Sequence, residues 1–140
     1  MRAPINVPTS FGVNLQRNEP ERTKVEREIL ALPVTALTTA GVTLLTVPSA
    51  ATFQVQHFLV VNHTSGAATF DLHVVASGGS ADTSNIIYSS ETVAGNDTAS
   101  PYERWAIVAP AGSSIVGVAS ANSTLNILLS GMMIYSGDLL

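Results

Sequence analysis

The sequence predicts an all-β protein: a jelly-roll-like β-sandwich of about eight strands, preceded by an extended N-terminal arm with a short helix. Three observations predict it. From Val34 onward the apolar residues recur at every second position, the period of a strand with one buried face. The apolar runs are short and separated by clusters of Gly, Pro, Asn, Asp, Ser and Thr. Outside residues 19–32, no stretch of useful length carries a helical period.

Taken in order, the first element is the arm, residues 1–33, which differs from the sandwich domain, residues 34–140, in charge. Five of the six basic residues (Arg2, Arg17, Arg22, Lys24, Arg27) and four acids precede Ile29. From Ile29 onward Arg104 is the only base and faces six acids, a net charge of −5. Pro4, Pro8 and Gly12 break regular structure, so residues 1 to about 18 are expected to be extended. The run from Glu19 to Leu30 then reads as a helix, with Pro20 early, acids in the first turn and a stop before Pro33. On that helix Val25, Ile29 and Leu32 form one stripe, and Arg22/Glu26 and Lys24/Glu28 pair at i,i+4.

The strands expected downstream are Val34–Leu37, Val42–Val47, Phe53–Asn62, Ala68–Ala76, Asn85–Ser89, Trp105–Val108, Ser114–Ala119 and Thr124–Ser136. The clearest runs from Ala68 to Ala76. There Phe70, Leu72 and Val74 point to the core, and Thr69, Asp71 and His73 point away. The same alternation places Leu59 and Val61 in the core with Leu125, Ile127 and Leu129. The breaks, such as Ser77-Gly-Gly-Ser, Ala94-Gly-Asn-Asp and Pro110-Ala-Gly, are turn chemistry.

Composition narrows the function. Only 11% of the residues are charged, well below the usual share of about 25%. The surface is therefore neutral and hydroxyl-rich, which suits a protein whose faces are covered by neighbours. There is no cysteine, so disulfides and thiolate metal sites are excluded. No export signal is read at the start, and no apolar run approaches the about 20 residues of a membrane helix. The sequons at Asn62, Asn96 and Asn122 read as products of a Ser/Thr-rich composition.

No constellation of residues points to catalysis or to a cofactor. Asp71 and His73 share a strand face, with His57 or His63 as a third candidate ligand, but polar outer-face residues are the ordinary case. Gly-x-Ser-x-Gly and phosphate-loop motifs are absent. The acidic body repels phosphate, and the arm's bases are interleaved with glutamates, so a nucleic-acid partner is not expected. Tyr102 and Trp105 could stack on a sugar, although Trp105 with Ile107 two positions on reads as a core anchor. The expectation is a non-enzyme with no metal and no cofactor.

Val47-Pro-Ser-Ala-Ala-Thr-Phe-Gln-Val-Gln-His-Phe-Leu-Val-Val-Asn followed by Gly66-Ala-Ala-Thr-Phe-Asp-Leu resembles the small β-sandwich domains of tailed-bacteriophage virion proteins. So do Val93-Ala-Gly-Asn-Asp-Thr, Ala109-Pro-Ala-Gly-Ser-Ser-Ile and Leu125-Asn-Ile-Leu-Leu-Ser-Gly. The likeness spans roughly residues 34–136 and rests on strand-and-turn patterns. It implies a virion component, since capsid decoration (cement) proteins, head-tail connectors and minor tail proteins use such domains. It brings no catalytic residues.

The resulting expectation is a capsid decoration protein, trimeric, that binds the major capsid protein or other virion proteins. A head-tail connector, a tail component and a carbohydrate-binding or host-attachment module are the alternatives. The arm is the expected contact, through Phe11, Arg17, Arg22, Lys24, Val25, Arg27 and Ile29. Ordering about 28 residues costs on the order of 30 kcal/mol. At about 25 cal/mol per Å² this requires roughly 1,000 Å² of apolar contact. The arm is thus expected either to be disordered in the free protein or to lie across neighbouring subunits.

Overall fold

The protein was analysed as a computed structural model, which describes residues 24–100 and 107–137. Among the described residues there are ten strands, β1 (Lys24–Ala31), β2 (Thr35–Ala36), β3 (Val42–Thr46), β4 (Ala51–Asn62), β5 (Ala68–Val75), β6 (Ile86–Val93), β7 (Thr98–Ala99), β8 (Ile107–Ala109), β9 (Ser114–Ala119) and β10 (Leu125–Gly137). They form two antiparallel sheets. The six-stranded sheet has the order β1-β10-β4-β7, with β2 also on β10 and β8 also on β4. The four-stranded sheet has the order β3-β9-β5-β6. When β1 is merged with β2 and β7 with β8, the strand positions run 1-8-3-6 in one sheet and 2-7-4-5 in the other. That is the connectivity of a jelly roll.

Period-two alternation explains why the sheets face each other. On β10, Leu125, Ile127, Leu129 and Met133 are buried, and on β9, Ile115 and Ala119 are buried. Phe70 and Leu72 on β5 are buried as expected, and Val74 is partly buried against the same core. The two layers meet through aromatic edges. The Phe58 ring, on β4, lies 6.3 Å from Phe70 and 5.4 Å from Tyr88 of the opposite sheet, both T-shaped. Each fully buried side chain of this size stabilises the fold by about 1.5–3 kcal/mol.

Two expectations are corrected. The first concerns the helix over residues 19–32: among the described residues there is no helix, and Lys24–Ala31 is the strand β1 on the edge of the six-stranded sheet. The i,i+4 charge pairs fit a helix locally, but pairing with β10 satisfies the backbone in extended form. As a strand, β1 turns Leu30 toward the core, as does Leu32 just beyond its end, and leaves Ile29 outside, where the helical stripe had grouped Ile29 with Leu32. The exposed charges at Glu26, Arg27 and Glu28 suit an edge strand, which they guard against further pairing.

The second correction concerns β4. Phe53 and Val55 are buried, but so are Phe58, Val60 and Asn62, while Val61 is exposed and Leu59 only partly covered. The phase changes because of a β-bulge. Ser130 of β10 pairs with His57 and Gly131 pairs with Val55, so Gln56 is an extra residue, and Gln56 and His57 are both exposed. One inserted residue moves every later side chain to the other face. Gly131 sits at this kink. A Cβ there would lie 2.2 Å from the Gln54 carbonyl oxygen and 2.7 Å from the Phe53 ring, so the close approach of the strands requires glycine.

Candidate functional site

The outer face of the four-stranded sheet is occupied by the chain's own loop between β5 and β6. His73 and Val75 point away from the core yet are only 5% and 4% exposed, because residues 76–85 fold over them. Asn85 holds this loop. Its Nδ2 donates to the Ser80 carbonyl (2.8 Å), and its Oδ1 accepts from the Asp82 N–H (3.0 Å). The same oxygen contacts His73 Nδ1 at 2.9 Å. Since Asn85 Oδ1 can only accept, His73 donates through Nδ1.

Beside it lies a shallow cavity of about 330 Å³ lined by Thr39, Asp71, His73, Asp82, Ile86 and Val118. Its acids serve the backbone. Asp71 Oδ1 accepts from the Ser90 N–H at 2.7 Å, fixing a left-handed residue (φ 53°) in bulged β6. Asp82 Oδ1 accepts from the Ser84 N–H (2.8 Å) and Ser84 Oγ (2.5 Å). These Ser84 hydrogen bonds hold the Asp82 carboxyl below its ordinary value, with the His73 ring a minor cause. His57 lies on the other sheet, with Nε2 3.4 Å from Ser100 Oγ, and His63 is exposed at the end of β4. Among the described residues no group of three or more His, Asp or Glu side chains is placed to hold a metal ion.

The outer face of the six-stranded sheet is different. Ile29 is 77% exposed, Val108 56%, and Val61 and Leu128 37% each. Leu128 pairs directly with Leu59, and Gln54 stands between Met132 and Val108. β4, β8 and β10 contain no Asp, Glu, Lys or Arg, so the middle of the face is neutral, with Gln54, His57, Asn126 and Ser130 among its apolar residues and Arg27 two positions from Ile29 on β1. At its edge the Tyr135 hydroxyl donates to Glu28 at 3.3 Å. Partial burial, and then the Glu28 charge, push that phenol above its ordinary value.

Of the residues expected to contact partners, Arg27 and Ile29 lie on β1 and are exposed. Lys24 and Val25 open that strand. Phe11, Arg17 and Arg22 lie outside the described residues, as do Tyr102 and Trp105. Sequence reasoning missed Leu59, Val61, Val108 and Leu128. A signal was present: Phe58-Leu-Val-Val and Ile127-Leu-Leu are apolar at successive positions, the signature of strands covered on both faces.

No family model matches the chain, and no curated protein matches it. Among solved structures, a chain from Bacillus endospore appendages, described as a novel family of disulfide-linked pili, superposes with a TM-score of 0.55. It is 9% identical, and the match covers 84% of this chain and 92% of that one. A chain from the structure of infectious bursal disease virus, Gt strain, is 10% identical over 84% of this chain and 34% of its own length, with a TM-score of 0.29. The chain is thus similar in fold to a subunit of a bacterial appendage.

Proposed function

We propose that the protein is a structural subunit of a virion: a capsid decoration protein, trimeric, that binds the major capsid protein and stabilises the shell by bridging its subunits. The observation that carries this reading is the bare, largely apolar outer face of the six-stranded sheet, on a body whose Asp71, Asp82 and His73 are engaged in ordering its own backbone and loops. Such a face is a contact surface. On this reading binding is the whole function: many weak contacts, repeated by symmetry, hold a shell. No catalytic role is assigned, and neither nucleic acid nor membrane is a partner.

The test is the copy number in purified parent particles. On the order of hundreds of copies supports decoration, whereas about six to twelve identifies a connector or tail ring. Absence from particles overturns the virion reading. A second reading, subunit of a surface fibre, is favoured by the fold similarity to the appendage chain. This chain has no cysteine, so a fibre built from it would be held without disulfides. Filaments in electron micrographs of the purified protein would support that reading over decoration.

A further inference from the structure

The bare face of the six-stranded sheet has a definite size. Four strands at about 4.8 Å spacing, and about 27 Å from Asn126 to Ile134, enclose about 500 Å². That is comparable with the largest apolar patch of a typical monomer, which is often functional, and the described residues leave it open at Ile29, Val61, Val108 and Leu128.

The segment preceding β1 has the pattern to cover it. Ile5, Val7, Phe11, Val13 and Leu15 all fall on odd positions, and Asn6, Pro8, Ser10, Gly12 and Asn14 fall on even ones. In extended form this alternation gives one continuous apolar side. From Ala3 to Gln16 there is no charged residue, which matches the neutrality of β4, β8 and β10. Eleven residues from Ile5 to Leu15 reach about 36 Å, enough to cross all four strands or to run along them.

We infer that residues 5–15 of one copy lie across the outer face of the six-stranded sheet of a second copy. The inference rests on the reading of the protein as an assembling subunit. The second copy is chosen over the same chain by the link from Gln16 to Thr23. It holds Arg17, Glu19, Glu21 and Arg22, and Pro20 biases Glu19 toward extended backbone. Held extended by that bias, the link would carry the segment away from its own sheet. Pro8 imposes the same bias on Val7 within the segment itself. Because giver and receiver surfaces differ, the exchange is either reciprocal in a two-fold dimer or head-to-tail, closing into a ring such as a trimer when the rotation permits.

The absence of cysteine makes the test clean. Full-length Phe11→Cys and Leu128→Cys variants are purified separately, mixed in equal amounts and oxidised. A disulfide-linked heterodimer, at several-fold the yield of a mixture of Phe11→Cys with Thr92→Cys on the four-stranded sheet, is the expected result. The double variant Phe11→Cys/Leu128→Cys, oxidised at low concentration, is expected to give linked multimers. An internally linked monomer there would show that the segment covers its own sheet and would overturn the inference. A heterodimer yield no greater than the Thr92→Cys control would overturn it as well. Leu128→Glu, at a half-exposed position that folding tolerates, is expected to lower the mass measured by light scattering to that of a monomer. An unchanged mass counts against the contact. Copy number on particles is read independently, so a failed cross-link with particle binding intact removes this contact and leaves the virion reading in place.

Discussion

The two sheets of the sandwich differ in what lies on their outer faces. The four-stranded sheet places His73 and Val75 outward and then buries both beneath the loop of residues 76–85, tied down by Asn85. The six-stranded sheet places Ile29, Leu128, Val61 and Val108 outward, and no described part of the chain covers them. On the first sheet the loop covers the region of His73 and Val75, and Ile87 on β6 stays 41% exposed. The second sheet's outer face is largely apolar and, over β4, β8 and β10, free of charge, which suits a surface completed by something else. Both inner faces are ordinary core, so the two sheets differ in their outer faces alone.

The largest expected effects break the shared core. Phe58→Ala removes the ring that bridges the sheets to Phe70 and Tyr88, and should cost about 3–5 kcal/mol in denaturant unfolding. Leu59→Ala, one residue along, should cost less than about 1 kcal/mol, because the bulge places it on the outer face. Equal costs would show that the phase of β4 is wrong. Gly131→Ala should lower stability by about 1–3 kcal/mol or more, since the new methyl meets the Gln54 carbonyl.

The next variant separates the two outer faces. Asn85→Ala should cost about 1–3 kcal/mol by leaving His73 and the Ser80 carbonyl without their partner. It should also speed amide exchange in residues 76–85 without altering self-association. A change in oligomer mass would show that the loop face also takes part in contacts.

The smallest effect is electrostatic. The folded state holds the Asp82 carboxyl below its ordinary value through Ser84, so its contribution is present above the unfolded value. That contribution is lost as pH falls through the folded value. Asp82→Asn should therefore flatten the fall in thermal midpoint between about pH 5 and pH 3. An unchanged acid limb would mean that the turn does not depend on the charge.

Eight of the ten strands are legible in the sequence. β9 is found residue for residue, and Phe70 and Leu72 lie where strict alternation puts them. What the sequence hides are long-range events. β1 satisfies a helical template locally and becomes a strand through its pairing with β10. The bulge at Gln56 leaves no mark, because Phe53-Gln-Val-Gln-His-Phe-Leu-Val-Val can be read in either phase, and only pairing with β10 chooses. The two-residue β7 is too short to carry a period at all. The candidate face was hidden for the same reason. Apolar residues on both sides of β10 read as core until the topology shows that one side has no layer above it.

Asn62 carries a consequence for making this protein in other cells. It begins the Asn62-His-Thr sequon, yet in the folded chain it is 1% exposed. Its Nδ2 donates to the carbonyls of Gly66 and Val93, and its Oδ1 accepts from the N–H and hydroxyl of Thr64. The nitrogen that a glycosyltransferase would modify is the one that staples the end of β4 to the end of β6. In a secretory host the enzyme and the fold would compete for that atom during synthesis. A chain that lost the race would carry a sugar where the turn must close, and the share of chains so marked would serve as a clock for how quickly this corner of the sandwich forms.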